Sequence, residues 1–315
     1  MTSKPSLIDR ALDAAVEPGF TRVGYRVRSR TWDDIPAGAM EGRTVVITGA
    51  TSGLGLAAAA RLADLGARMV LVGRNESRLR EASAAIDGPV EFRLADLGLM
   101  ADVRAVADRL QDTVPRIDVL INNAGALFPQ REMTAEGLEA TFATNLLSPF
   151  LLTNLLTPRL IESAPARIIT VSSGGMYTQP LVLEDLQSEN GYRGAAAYAR
   201  AKRAQIDLTL EWARRLGRSG VTAHAMHPGW ADTPGVQSAL PGFRRIMGPL
   251  LRSPEEGADT IVWLAAAPEG GESSGLFWHD RRIRPLSRLR NTTTSPARRR
   301  ELWAELARLA GLESS

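Results

Sequence analysis

The chain has 315 residues, 44% of them hydrophobic and 23% charged, which suits a globular protein with one large α/β core. It has no cysteine, which excludes disulfides, thiolate catalysis and cysteine-held metal. Its three histidines, His224, His227 and His279, lack metal-ligand spacing, so no metal site is expected. The net charge is +3 and the pI about 9.6, but the arginine-rich stretches at 22–30 and 281–300 carry little aromatic interleaving, and they read as solvated surface, not as a nucleic-acid footprint.

Residues 1–43 precede the main pattern. Within them Leu7, Ile8, Ala11, Leu12 and Ala15 recur at helical spacing and predict a short amphipathic helix, packed on the domain or on a partner subunit. No charged segment followed by a long apolar run opens the chain. The most apolar stretch, 146–156, is short and broken by Pro149, so a cytoplasmic protein without signal peptide or membrane span is expected. From 44 onward, β-branched runs predict strands over 44–48, 68–72, 90–94, 119–121, 167–171, 221–226 and 275–278. Helical patterns fall between them, over 55–65, 77–86, 101–113 and 195–216, with another around 258–266. Continuously apolar strands separated by helices imply a Rossmann-type, doubly wound parallel sheet of about seven strands in one α/β domain, 44–290. A tail, 291–315, follows; Ser295-Pro296 starts a helix whose Leu302, Trp303, Leu306, Leu309 and Leu312 predict docking.

Residues 48–55 read Thr48-Gly49-Ala50-Thr51-Ser52-Gly53-Leu54-Gly55, directly after an apolar strand and at the start of an alanine-rich helix. Glycines let the backbone turn sharply and approach a pyrophosphate, and the helix N-terminus favours negative charge, so this turn predicts a dinucleotide site. The second strand runs into Val72-Gly73-Arg74-Asn75. A site for NAD usually places an acid there for the ribose 2′-hydroxyl, whereas an arginine accommodates a 2′-phosphate; NADP(H) is therefore favoured over NAD(H).

Tyr198 and Lys202 stand four residues apart on a predicted helix and share one face. An ammonium beside a phenol favours the phenolate, so Lys202 is expected to lower the Tyr198 pKa, and the tyrosine can then exchange a proton with a substrate oxygen. Spacing alone would mark an ordinary surface pair. Only two of the 38 basic residues are lysines, however, Lys4 and Lys202, and arginine cannot replace a compact, orientable ammonium.

Taken in order, the 48–55 turn, Asn122-Asn123-Ala124-Gly125, Asn145, Ser173, Tyr198-x-x-x-Lys202 and Pro228-Gly229 resemble the short-chain dehydrogenase/reductase family over roughly 43–280. The resemblance implies a carbonyl–alcohol oxidoreductase acting on a small molecule, with Asn145, Ser173, Tyr198 and Lys202 as its catalytic set. Asn123, Ala124 and Gly125 would lie beside the cofactor, Asp96 and Leu97 would face the adenine, and Pro228, Gly229 and Thr233 would close over the nicotinamide. Asn145 would hold a water linking Lys202 to solvent, and Ser173 would bond the reacting oxygen, with Ser172 competing for that role. The 25 residues from Ser173 to Tyr198 fit the retinol-dehydrogenase-like branch. Closer still, the segments 172–176 and 227–235 are similar to the subgroup called dehydrogenase/reductase member 12. The insertion, 174–194, would place Met176 and Tyr177 in a substrate wall with Trp230, or form an inert surface loop. Apolar Val236, Leu240, Phe243, Ile246, Met247 and Leu250 in 231–252 point to a hydrophobic substrate. Two departures stand out: Ala201 replaces a serine common before the lysine, and Trp230 follows the Pro-Gly pair. A homo-oligomer is usual for the family, though the long loop before Tyr198 would obstruct the usual helix interface. The alternative reading is a non-catalytic NADP(H)-binding sensor or scaffold on the same fold.

Overall fold

The computed structural model describes residues 9, 12–13, 16–239 and 241–312. Of the predicted N-terminal helix only Leu12 falls within them; Leu7, Ile8, Ala11 and Ala15 lie outside. The first described helices are α1 (Val16–Phe20) and α2 (Arg22–Ser29).

The strands β1 (Thr44–Thr48), β2 (Arg68–Gly73), β3 (Val90–Leu94), β4 (Val119–Asn122), β5 (Ala166–Val171), β6 (Val221–Met226), β7 (Leu276–His279) and β8 (Arg282–Ile283) form one sheet of order β3-β2-β1-β4-β5-β6-β7-β8. The first seven are parallel, and β8 is antiparallel to β7. About seven strands were expected; the eighth was missed because its hairpin turns through Asp280 and Arg281 at φ 54° and 53°, without the glycine or asparagine that usually marks such a turn.

Alternate residues along the central strands supply two cores, which is why the strands read as unbroken apolar runs. Val46, Leu120 and Ile168 point to one face, packed with α5 (Met100–Thr113), α6 (Ser148–Glu162) and α7 (Gly194–Leu216). Ile47, Ile121 and Ile169 point to the other, under α3 (Gly53–Asp64) and α8 (Pro254–Ala266). Between β2 and β3 lies α4 (Glu76–Ala84).

The last helix, α9 (Pro296–Leu309), starts at Ser295, whose hydroxyl caps the Arg298 amide at 3.3 Å. It docks as expected: Leu302 and Leu306 are fully buried, and the Trp303 ring meets Phe150 of α6 edge-on at 4.9 Å and Trp212 of α7 at 6.0 Å. Of the arginine-rich stretch, Arg284 and Arg288 pair with Asp13, and Arg298 pairs with Glu184 at the surface. No helix among the described residues is long and apolar enough to cross a membrane.

The strand order reverses direction between β1 and β4, so the connections leaving their C-terminal ends part and open a crevice there.

Candidate active site

The crevice begins as a groove of about 330 Å³ over the glycine turn. Gly49 and Gly53 sit at φ 67° and 53°, where a side chain is strained. A Cβ on Gly55 would come 2.3 Å from the Gly49 carbonyl oxygen, so the helix start and the turn touch backbone to backbone. Ser52 precedes α3 in an extended conformation and makes no side-chain cap, which leaves the first amides of α3 turned toward the groove. Ser52, Gly53, Leu54 and Gly55 all line it.

The other predicted cofactor contacts divide. Arg74, Asp96, Leu97, Asn123, Ala124 and Gly125 line the groove. Thr48 does not: it is buried, and its hydroxyl accepts the amides of Asn123 at 3.1 Å and Ala124 at 3.0 Å. Asn123 answers with Nδ2, which donates to the carbonyls of Thr48 at 2.8 Å and Gly49 at 3.1 Å. Thr48 therefore braces the turn against β4 from behind the groove. Asp96 is held by its own turn, with Oδ1 accepting the Gly98 amide at 2.8 Å. Arg78 was missed; it lines the same corner as Arg74, four residues later, and both are exposed. The i,i+4 spacing was the available signal.

Beyond the groove lies a chamber of about 440 Å³, and the two share the wall residues Leu54, Asn123, Gly125, Ala126, Thr233 and Gly235. Ser173, Tyr198, Lys202, Pro228, Gly229 and Trp230 border the chamber. The Ser173 hydroxyl accepts the Gly175 amide at 3.2 Å and lies near enough to the Tyr198 phenol to favour its ionised form. Ser172 gives its hydroxyl to the Lys202 carbonyl at 2.9 Å, stapling the end of β5 to α7, so Ser173 is the serine of the pair that sits beside Tyr198. Lys202 Nζ donates to the Val171 carbonyl at 2.8 Å and lies 5.5 Å from the Tyr198 ring centre.

The phenol departs from expectation. Burial pushes Tyr198 up to about 12, only partly offset by the Ser173 hydrogen bond, and burial alone pushes Lys202 down to about 7. The chain by itself thus favours the neutral form of each, because the walls desolvate both charges. One consequence is measurable. An unfolded Lys202 keeps its proton up to its ordinary value of 10.5, while the folded one loses it above about 7. The unfolded state therefore binds more protons across that window, and stability rises with pH there. Urea midpoints of the ligand-free protein are expected to gain from pH 7 to 9.5 relative to Lys202→Met, and parallel pH profiles would sink this assignment.

Asn145 lies in a π-helical turn, Ala143–Leu147, just before α6. It was expected to hold a water for Lys202. Its side chain is anchored to the 126 segment, Oδ1 accepting the Ala126 amide at 3.1 Å and Nδ2 donating to the Ala126 carbonyl at 2.8 Å. Its own carbonyl accepts Gln205 Nε2 at 2.6 Å, and Asn145 does not border the chamber. It positions the wall that carries Gly125 and Ala126.

Met176 and Tyr177 are also displaced from the expected substrate wall. They belong to the 3₁₀ turn Gly174–Tyr177, whose three-residue period puts Gly175 and Thr178 on the chamber side. Met176 is fully buried against Arg203, and the Tyr177 hydroxyl donates to the Pro285 carbonyl at 2.7 Å. Trp230 does face the chamber. In the segment that follows, Ile246 is 79% exposed and Leu250 40%, so neither packs into it; the side chains of Val236, Leu240 and Phe243 lie outside the described residues.

Three comparisons bear on this arrangement. The short chain dehydrogenase family matches residues 43–242. The chain is 40% identical over 301 residues to dehydrogenase/reductase SDR family member 12 of Bos taurus, covering 92% of this chain and 94% of the relative. It is 39% identical over 264 residues to retinol dehydrogenase 14 of Mus musculus, covering 77% and 79%. A solved structure from Mycobacterium Paratuberculosis superposes with a TM-score of 0.72 at 32% identity, over 89% of this chain and 97% of that one. Glycine turn, strand order and the Ser173–Tyr198–Lys202 chamber thus sit on a shared fold, and the chain belongs to the short-chain dehydrogenase/reductase family of oxidoreductases, in the branch of member 12 and the retinol dehydrogenases.

Proposed function

We propose that the protein interconverts a carbonyl and an alcohol on a neutral, apolar small molecule, using NADP(H) in preference to NAD(H). The observation that carries this reading is that Ser173, Tyr198 and Lys202 border one mostly apolar chamber, which shares its wall with the glycine-turn groove. The groove fits a dinucleotide on its own features: a turn that excludes Cβ atoms at 49 and 55, and open amides at the start of α3. Bound there, a reduced nicotinamide supplies a hydride to the carbonyl carbon.

The chain's own groups handle the oxygen. Ser173 holds it by a hydrogen bond, and Tyr198 passes its hydroxyl proton to it as negative charge develops. The Lys202 ammonium, beside the ring, stabilises the phenolate left behind. The reverse reaction returns the proton to Tyr198. Leu127, Val171, Ala199 and Trp230 give the chamber apolar walls, and among the described residues its lining holds no carboxylate and a single cation, Lys202, which is turned to the Val171 carbonyl, so a neutral substrate is favoured.

Arg74 and Arg78 support the NADP(H) preference. Both line the groove beyond β2, and among the described residues neither has an acidic partner within ion-pair distance. Arg74→Ser with Arg78→Ser is expected to weaken NADPH binding by about tenfold or more, since a hydrogen bond to a charged group is worth roughly 1.5–3 kcal/mol. NADH affinity should stay within about twofold on the same scale of effects. Titration of both dinucleotides decides it; equal loss for the two would overturn the preference.

A further inference from the structure

Behind the chamber wall stands a side chain from the far end of the sequence. Phe20, the last residue of α1, is only 5% exposed. Its ring meets His227 edge-on at 4.3 Å, His279 at 5.1 Å and Trp230 at 6.0 Å. On another side it abuts the residue after Ser173, since a Cβ on Gly174 would lie 2.9 Å from the ring carbon Cε2. The backbone joins in. The Phe20 carbonyl accepts the Trp230 amide at 2.8 Å and Arg252 Nε at 3.0 Å, and a Cβ on Gly229 would come 2.7 Å from that same oxygen. The two turns bordering the chamber, 173–175 and 228–230, therefore rest on one aromatic ring that does not itself border the chamber.

We propose that Phe20 is a positioning residue for the catalytic chamber: the N-terminal arm, 16–29, sets the separation between the Ser173 turn and the Trp230 turn. The inference rests on the reading above, in which Ser173 holds the reacting oxygen. A wedge between two turns fixes their distance because packed interiors resist compression and do not fill voids freely. Reacting groups misplaced by about 1 Å can cost about a hundredfold in rate, so a smaller shift of one turn is enough to register.

Phe20→Ala and Phe20→Leu in the full chain test it, with two readouts. In the ligand-free protein, hydrogen exchange at the Trp230 amide should quicken about tenfold in Phe20→Ala, while amides of β1 and α9 keep their rates. Turnover of carbonyl substrates should fall about tenfold in kcat with dinucleotide affinity unchanged, and Phe20→Leu should regain most of it. Gly174→Ala adds a Cβ against the ring, so combined with Phe20→Ala its cost should be smaller than alone. Unaltered exchange at 228–230, or exchange quickening evenly over the whole sheet, overturns the proposal. So does wild-type kcat in Phe20→Ala, or strict additivity with Gly174→Ala. Should the wild type reduce no carbonyl, the functional reading fails while the exchange comparison still decides the positioning role. If Phe20→Ala does not fold, Phe20→Val, which also leaves the wedge short, carries the same comparisons.

Discussion

Tyr198→Phe is expected to lower kcat by about a thousandfold and to leave dinucleotide affinity and thermal stability close to wild type. The substitution deletes one oxygen and keeps the ring, so the packing of α7 against β5 is retained. What goes is the proton at the substrate oxygen, worth about 4 kcal/mol of barrier at this rate ratio. Ser173 keeps its bond to the Gly175 amide, so the turn that carries it stays in place. The assay is NADPH oxidation against a panel of apolar aldehydes and ketones, paired with a binding titration of the same variant. Unchanged turnover would remove Tyr198 from the chemistry. Tight NADPH binding without reduction of any carbonyl by the wild type would instead favour the sensor or scaffold reading.

Arg252→Met should cost about 3–5 kcal/mol of folding stability, the scale for breaking a buried charge pair by removing one partner. Arg252 is 1% exposed and sits at the junction of three segments. It donates to the carbonyls of Gly19 at 3.1 Å, Thr21 at 3.2 Å and Pro228 at 3.2 Å, besides Phe20. Two further bonds, 2.6 and 2.9 Å, grip the Asp280 carboxylate, which also takes Arg28 at 2.7 Å. Burial would raise Asp280, but the two guanidiniums outweigh it and hold its carboxyl well below the usual range; His279, kept neutral by burial, adds little at neutral pH. A carboxyl with a depressed folded pKa stabilises above its unfolded value of 3.8 and loses that contribution on acidification. In Arg252→Met the folded pKa climbs, so the penalty should be largest near pH 7 and narrow as pH falls. Urea unfolding at several pH values reads both features. Arg252→Lys keeps the charge but not the planar fork, and should fall between the two. A wild-type midpoint in Arg252→Met would mean that the network contributes nothing net.

The parts of this protein that could be read from sequence are those whose signal is local. The runs at 44–48 and 221–226 carry apolar residues on both faces because both faces of the sheet are covered, and β1 and β6 occupy those same positions. Tyr198 and Lys202 needed only helical periodicity to be placed together. The unread parts depend on long-range contacts or on side chains whose ordinary reading misleads. The bond from Arg252 to Phe20 spans 232 residues, and no spacing announces it. Thr48 and Asn145 carry hydroxyl and amide groups fit for a ligand, yet the neighbouring backbone claims them first. Met176 and Tyr177 were placed on the wall because the insertion had to go somewhere; the 3₁₀ period turned them inward. The expected lowering of the Tyr198 pKa considered the neighbouring charge and left out desolvation, which is the larger effect in this chamber.

The scarcity of lysine has a chemical consequence for work on the protein. Amine-directed reagents act on the uncharged amine, and most proteins offer them many equivalent surface targets. Here the chain contains Lys4 and Lys202 alone, and the second, with its pKa near 7, is about half unprotonated at neutral pH. A small acylating probe able to enter the chamber would meet Lys202 as its one lysine there, and protection of Lys202 from labelling would report occupancy without any substrate having to be known.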